Sequence, residues 1–253
     1  MPLKIYTLLV LLLLGLQSGM AQRKAKAEKG FTAIFNGKNL TGWVGDTAYW
    51  RVENGTLVGE IKPDKPLKTN SFLIWQGGEP ADFELKGEFT ISEAGNSGIN
   101  YRSDRVPDVP YALRGYQADI DGRRMWTGQN YEERKRTTLA YRGEKAIINP
   151  FTGEATPEAL RAKINRNAWT NRTVTGSLGT SDSLKTLVKT KGWNSFRLVV
   201  KGNKMQHYVN DVLMSEVIDN DTVNGRSKGL LGVQVHVGPP MNVQYRNLML
   251  KSL

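Results

Sequence analysis

Apolar and polar residues alternate through most of the chain in short runs, and Gly, Asn and Asp interrupt those runs at brief intervals. Period-two runs bounded by turn residues predict strands and not helices. They fall at residues 50–58, 83–91, 98–102, 116–121, 137–142, 196–201, 204–209, 230–236 and 243–250. Gly202-Asn203 and Asn210-Asp211 separate three of these runs as hairpin turns, which predicts a meander of the jelly-roll kind. A brief surface helix is expected where Thr156-Pro157-Glu158 precedes residues 159–164, with Thr156 as cap and Pro157 in the first turn. Residues 144–191 are otherwise polar and poorly periodic, so they read as a long excursion between strands. No internal repeat is visible. The expected architecture is an all-β sandwich of two antiparallel sheets.

Residues two apart on a strand share a face. Over 231–238, Leu231, Val233, Val235 and Val237 form one set, and Gly232, Gln234, His236 and Gly238 form the other. That second set joins a titratable ring and an amide to glycines that leave room for a ligand. In the 116–121 run, Gln117, Asp119 and Asp121 oppose Tyr116, Ala118 and Ile120, and in 98–102 Asn100 and Arg102 oppose Ile99 and Tyr101. The three polar rows are expected on the concave face of one sheet. Asp121-Gly122 reads as a turn, and His207, in a plain hairpin strand, reads as structural. In the stretch 126–134, Trp126 and Tyr131 could stack on sugar rings, and Glu132 could move a proton, orient a basic partner or form a loop salt bridge.

Met1 and Lys4, an apolar block at 8–16 and Gly19-Met20-Ala21 have the form of a secretory signal peptide over residues 1–21, with cleavage expected after Ala21. The block is roughly half the ~20 apolar residues that a spanning helix needs, so no retained membrane span is expected. Residues 22–30 read as a basic linker and 31–253 as one domain, placed in the periplasm or secreted. With no Cys, a lipidation site at the cleavage point, disulfides and thiolate metal sites are excluded. The net charge of +11 is spread out, apart from Arg102, Arg105, Arg114, Arg123, Arg124, Arg134, Arg136 and Arg142. That cluster fits a solvated surface or an anionic substrate group, and no nucleic-acid partner is expected.

Three segments carry a resemblance: residues 31–43, with Phe35-Asn36-Gly37-Lys38-Asn39-Leu40-Thr41-Gly42-Trp43; residues 50–57; and Asn96-Ser97-Gly98-Ile99-Asn100-Tyr101-Arg102. With Gly115-Tyr116-Gln117, residues 128–131, Gly192-Trp193-Asn194, residues 232–236 and Tyr245-Arg246-Asn247-Leu248, the chain resembles the 3-keto-disaccharide hydrolase family over almost its whole mature length. The resemblance implies a concanavalin A-like jelly roll and activity as a 3-keto-glucoside 1,2-lyase, a 3-keto-2-hydroxyglucal hydratase or a net hydrolase. It differs where the family commonly shows Glu and then Gln after Gly-Tyr, since this chain has Gln117 and Asp119.

The substrate class so implied is an oxidised, 3-keto sugar or oligosaccharide. Its chemistry needs a base for the C2 proton, a donor for the enolate and an acid for the leaving oxygen. His236 is the expected base, Arg102 with Asn100 the enolate donors, and Asp119 or Glu132 the leaving-group acid or the residue orienting His236. Gln117 and Gln234 would hold hydroxyls. Asp119, Glu132 and His236 are alternatively candidate ligands of one divalent metal ion. A retaining glycosidase would need two carboxylates roughly 5 Å apart, a pattern the 116–121 strand does not offer. A noncatalytic carbohydrate-binding module of the same fold is the remaining alternative.

Overall fold

The computed structural model describes residues 28–153 and 168–253. In chain order the elements are β1 (Thr32–Ala33), β2 (Trp43–Val44), β3 (Trp50–Glu53), β4 (Thr56–Ile61), β5 (Ser71–Trp75), β6 (Phe83–Ile91), β7 (Asn96–Arg105), β8 (Leu113–Asp121), β9 (Asn130–Glu133), β10 (Thr137–Ala140), β11 (Glu144–Ile148), β12 (Arg172–Ser177), α1 (Ser181–Thr186), β13 (Asn194–Lys201), β14 (Lys204–Val209), β15 (Val212–Asp219), β16 (Leu230–Val235) and β17 (Met241–Ser252). A ten-stranded sheet runs β12-β11-β15-β14-β13-β6-β17-β4-β3, with β1 also on β17, and a seven-stranded sheet runs β10-β9-β8-β7-β16-β5-β2. The fold is thus the expected two-sheet jelly-roll sandwich. Its pairings among these strands are antiparallel apart from β11 with β15, which is parallel.

Alternation explains most of the strands. In β13, Phe196, Leu198 and Val200 are buried while Ser195, Arg197 and Val199 are half-buried. The Asn210-Asp211 turn has positive φ at both residues (49° and 63°), which matches the twist of the strands it joins. Asn54 and Gly55 do the same (49° and 77°), so the expected strand at 50–58 is in fact a hairpin, β3 and β4. The expected excursion at 144–191 is corrected as well. β11 and β12 extend the ten-stranded sheet there, and α1 is capped by Thr180, whose side chain accepts from the Ser183 N–H at 3.1 Å. Only Leu184 of α1 is buried, so the helix has almost no apolar stripe to read. The expected helix near 156–164, the signal peptide and residues 22–27 of the linker lie outside the described residues.

Trp50, Leu57, Phe83, Phe89, Tyr101, Tyr116, Val233 and Tyr245 belong to the core between the sheets. Each such side chain contributes roughly 1.5–3 kcal/mol relative to exposure. Polar ties cross this layer: the Tyr101 hydroxyl meets His207 Nε2 at 2.8 Å, and the Ser97 and Tyr245 hydroxyls meet at 2.7 Å. His207 Nδ1 faces the Gln129 carbonyl at 3.2 Å, so it carries the proton, and burial lowers the ring's pKa to about 4. His207 is therefore a neutral packing residue, as expected.

A bulge in β7 decides what happens on the other side of the seven-stranded sheet. Tyr101 pairs with Tyr116, the register then slips, and Asp104 pairs with Arg114, with Arg102 at a φ of 44°. Beyond the slip the β7–β8 hairpin lies against β5. The Tyr111 carbonyl accepts the Phe72 N–H at 2.8 Å, and Leu113 packs on Phe72 and Ile74.

Candidate functional site

The site is built from the face of the seven-stranded sheet that is turned away from the core. Register fixes its rows. Gly232 pairs with Asn100, Asn100 with Gln117, and Gln117 with Tyr131; one step along, Gly98 pairs with Asp119. The alternation in β16, β7 and β8 thus brings Gln234, Asn100, Gln117 and Asp119 to one face, as expected from the sequence. Of the two glycines anticipated to leave space for a ligand, Gly238 does, a Cβ there meeting nothing nearer than the His236 carbonyl at 3.9 Å, and Gly232 does not. A Cβ on Gly98 would lie 2.5 Å from Gln117 Cγ and Cδ, and one on Gly232 would lie 3.0 Å from Leu113 Cδ1.

Asp119 is the chemical centre of this face. Its Oδ1 accepts from Gln117 Nε2 at 2.6 Å, and its Oδ2 accepts from Gln129 Nε2. Burial raises its pKa to about 7, with the Glu133 and Asp121 charges adding to the rise and the two amide bonds opposing it. A carboxyl group poised near neutral pH can both take and give a proton. Around it the amides are incompletely satisfied: both polar atoms of Asn100 and the Oε1 atoms of Gln117, Gln129 and Gln234 are buried without a hydrogen-bond partner. Buried orphans of this kind are costly, and several on one face mark a place where a polar ligand or water completes the bonding.

A bridge spans the face. Glu133, at the end of β9, accepts from Asn70 Nδ2 at 3.1 Å and from Gln234 Nε2 at 3.3 Å. Asn70 just precedes β5, so these bonds link strands that stand four places apart in the sheet. His236 follows β16 at the margin of the face, half-buried, with its N–H on the Asn96 carbonyl. Its Nδ1 faces the Val237 carbonyl at 2.7 Å; a carbonyl can only accept, so Nδ1 carries a proton there.

Two expected catalytic residues lie elsewhere. Arg102 follows the bulge away from Asn100. Its guanidinium donates to the carbonyls of Ala81 (2.7 and 2.9 Å) and Gly202 (2.8 Å) and to Asp82 Oδ1 (3.0 Å), anchoring the sheets to each other. Glu132 points into the core, because it pairs with Tyr116 and alternates with Tyr131. There it binds Arg136 Nε at 2.5 Å, and Arg136 also binds Asp219 at 2.6 Å and Asp221 at 3.3 Å. Asp121 ends β8 and ties down the turn that follows, its carboxylate accepting the N–H groups of Met125, Trp126 and Thr127 at 2.8 to 2.9 Å. Tyr131 shares the face of Gln117 and is half-buried, whereas Trp126 lies in a separate cleft.

The 3-keto-alpha-glucoside-1,2-lyase-like domain family matches residues 30–251. The chain belongs to this family. Membership places it among carbohydrate-active proteins. No curated protein matches it. Among solved structures it is similar to two candidate glycosyl hydrolases from Parabacteroides distasonis ATCC 8503. One is 18% identical, with 88% of this chain and 94% of that chain covered and a TM-score of 0.52; the other is 16% identical, with 88% and 99% covered and a TM-score of 0.53. It is also similar to carbohydrate binding module CBM66 from Bacillus subtilis, at 15% identity, with 83% and 96% covered and a TM-score of 0.50. At these identities the likeness is one of fold.

For this lyase-like domain the proposed metal set of Asp119, Glu132 and His236 does not assemble. Glu132 is on the opposite face of the sheet and neutralised by Arg136, and both oxygens of Asp119 already accept amide hydrogens. Among the described residues no group of three or more His, Asp or Glu could hold a metal ion. Gln129, Glu133 and Asn70 were not foreseen. A period-two reading of 129–133 would have found two of them, since it places Gln129, Tyr131 and Glu133 together and Glu132 opposite.

Proposed function

We propose that this domain cleaves 3-keto-glycosides by elimination, with Asp119 as the proton-transferring group. The observation that carries this reading is a carboxyl group with a pKa of about 7 on the same buried face as five unpartnered amide atoms. A ketone at C3 acidifies the C2 proton. The Asp119 carboxylate takes that proton, the enolate oxygen accepts a hydrogen bond from Asn100 Nδ2, and the C1–O bond breaks with its electron pair leaving on the aglycone oxygen. The proton now on Asp119 passes to that oxygen, so one group balances the step and leaves a C1=C2 enone and a free alcohol. His236 Nε2, at the margin, is the second candidate base, and addition of water across the enone would make the net reaction a hydrolysis. The orphaned Oε1 atoms of Gln117, Gln129 and Gln234 are acceptors suited to sugar hydroxyls. A sugar reaches these buried groups when the bridge from Glu133 to Asn70 and Gln234 parts.

The competing reading is a noncatalytic binding module, favoured by the likeness in fold to the Bacillus subtilis module. Ultraviolet detection of enone from a 3-keto-glucoside separates the two, with the unoxidised glucoside as control. Product from the keto substrate, reduced roughly 10²–10⁴-fold in Asp119→Asn, supports the lyase; tight binding without product supports the module. His236→Ala reports on the second base in the same assay. We also propose export, with the mature chain starting after Ala21, to be checked by mass spectrometry of the protein in a periplasmic or culture fraction.

A further inference from the structure

Outside the buried face, a cleft of about 460 Å³ opens between the β8–β9 connection and the β12–α1 edge, lined by Met125, Trp126, Tyr141, Arg142, Glu144, Val174, Ser177 and Ser181, among others. We propose that this cleft is a second sugar-binding site, which takes a neutral, unoxidised hexopyranose of an oligosaccharide on the Trp126 indole.

Three observations point to this occupant. First, Trp126 is 40% exposed and Met125 53%, and Val174 on the facing strand is 50% exposed. Large apolar side chains left in water on one cleft mark a binding surface. Second, the loop that holds them is built and does not owe its shape to collapse. Asp121 takes the N–H groups of Met125, Trp126 and Thr127 together with the Thr127 hydroxyl (2.9 Å), so the backbone that carries the indole is fixed before any ligand arrives. Third, the floor joins the two walls. Arg142, 5% exposed, donates to the carbonyls of Arg124 (3.0 Å) and Thr127 (2.8 Å) on one side, and to the carbonyl (2.9 Å) and hydroxyl (3.0 Å) of Ser181 on the other.

An aromatic plate rimmed by hydroxyls and a carboxylate matches a pyranose, which has an apolar face of C–H groups and an equator of hydroxyls. Glu144 is occupied by Arg172 Nη1 at 2.7 Å and the Tyr141 N–H at 2.8 Å, so among the described residues the rim offers no free cation or anion that would select a charged sugar. Gly176 and Gly179, also in the lining, add no side chain to fill the space. The cleft shares no lining residue with the face that carries Asp119, and this inference stands whether or not the elimination chemistry holds.

Calorimetric titration with neutral trisaccharides, one each of α-1,4-, β-1,3- and β-1,4-linked glucose, tests it on the full mature chain. Wild type and Asp119→Asn are expected to bind at least one of the three equally well. Trp126→Ala is expected to weaken that binding about tenfold or more, with an unchanged thermal midpoint as the folding control. Trp126→Phe, which keeps an aromatic plate, is expected to retain most of it. Binding that disappears in Asp119→Asn but survives Trp126→Ala would assign the sugar to the buried face and overturn the proposal, as would failure of all three trisaccharides to bind wild type.

Discussion

Two buried polar clusters lie on opposite faces of the same sheet and differ in one respect. On the core side, Arg136 sits among Glu132, Asp219, Asp221 and the Tyr116 hydroxyl, and its five N–H groups are used: Nε to Glu132, Nη1 to Asp219 and Asp221, and Nη2 to Glu132, Tyr116 and Asp219. Burial opposes the guanidinium charge, but the Glu132 and Asp219 carboxylates outweigh it and hold the pKa well above the ordinary value. On the outer side, Asp119 has two amide donors and, among the described residues, no cation, and its neighbouring amides keep unpartnered atoms. Complete pairing holds a structure together, whereas incomplete pairing in a folded interior stores a capacity to bind.

This contrast can be broken from the core side first. Arg136→Met leaves the buried Asp219 and Asp221 carboxylates without a counter-ion and Glu132 with Lys135 alone, which costs about 3–5 kcal/mol and should lower the melting midpoint by about 10 °C or more. Arg102→Ala should be next, at about 2–4 kcal/mol, because it strands the Ala81 and Gly202 carbonyls and Asp82. Turnover per folded molecule should persist in that variant, and a loss of turnover at full stability would return Arg102 to the proposed chemistry.

The outer cluster should behave in the opposite way. The folded pKa of Asp119, about 7, lies above the usual 3.8, so the stability tied to its protonated form is complete below about 4 and is lost as pH rises through 7. Asp119→Asn has no such loss. Its midpoint should match wild type near pH 4 and exceed it by about 8 °C or more at pH 8, as read by thermal melts across that range. The smallest effect is expected for Asn100→Leu, which removes two orphaned atoms at similar volume. Its midpoint should stay within about 2 °C of wild type or rise slightly, while enone formation falls. A large fall in stability would mean that Asn100 is paired in solution.

Much of this was legible in the chain. Strict alternation in β6, β13, β14 and β16 reveals both the strands and their buried sides, because a side-chain period of two needs no tertiary information. The same rule put Gln117, Asp119, Asn100 and Gln234 on one face. It failed at Arg102, where the β7 bulge inserts a positive φ and sends the next side chain to the other side. Over 129–133 the same period sets Glu132 opposite Gln129, Tyr131 and Glu133, on the core side where Arg136 binds it. β5 was missed because Ser71–Trp75 is buried on both faces, Leu73 by the core and Phe72 and Ile74 by Leu113, and a strand covered on both sides shows no alternation.

The sequence by itself determined the class of fold, the family and the polar row of β7, β8 and β16, since these depend on local period and on motif order. Only the tertiary structure decided how each acid is held. Asp119 becomes a neutral-pH group through burial near Glu133, Glu132 is spent on Arg136, and Trp126 is assigned to a cleft of its own. Burial and charge pairing arise between segments distant in the chain, and no local pattern of residues records them.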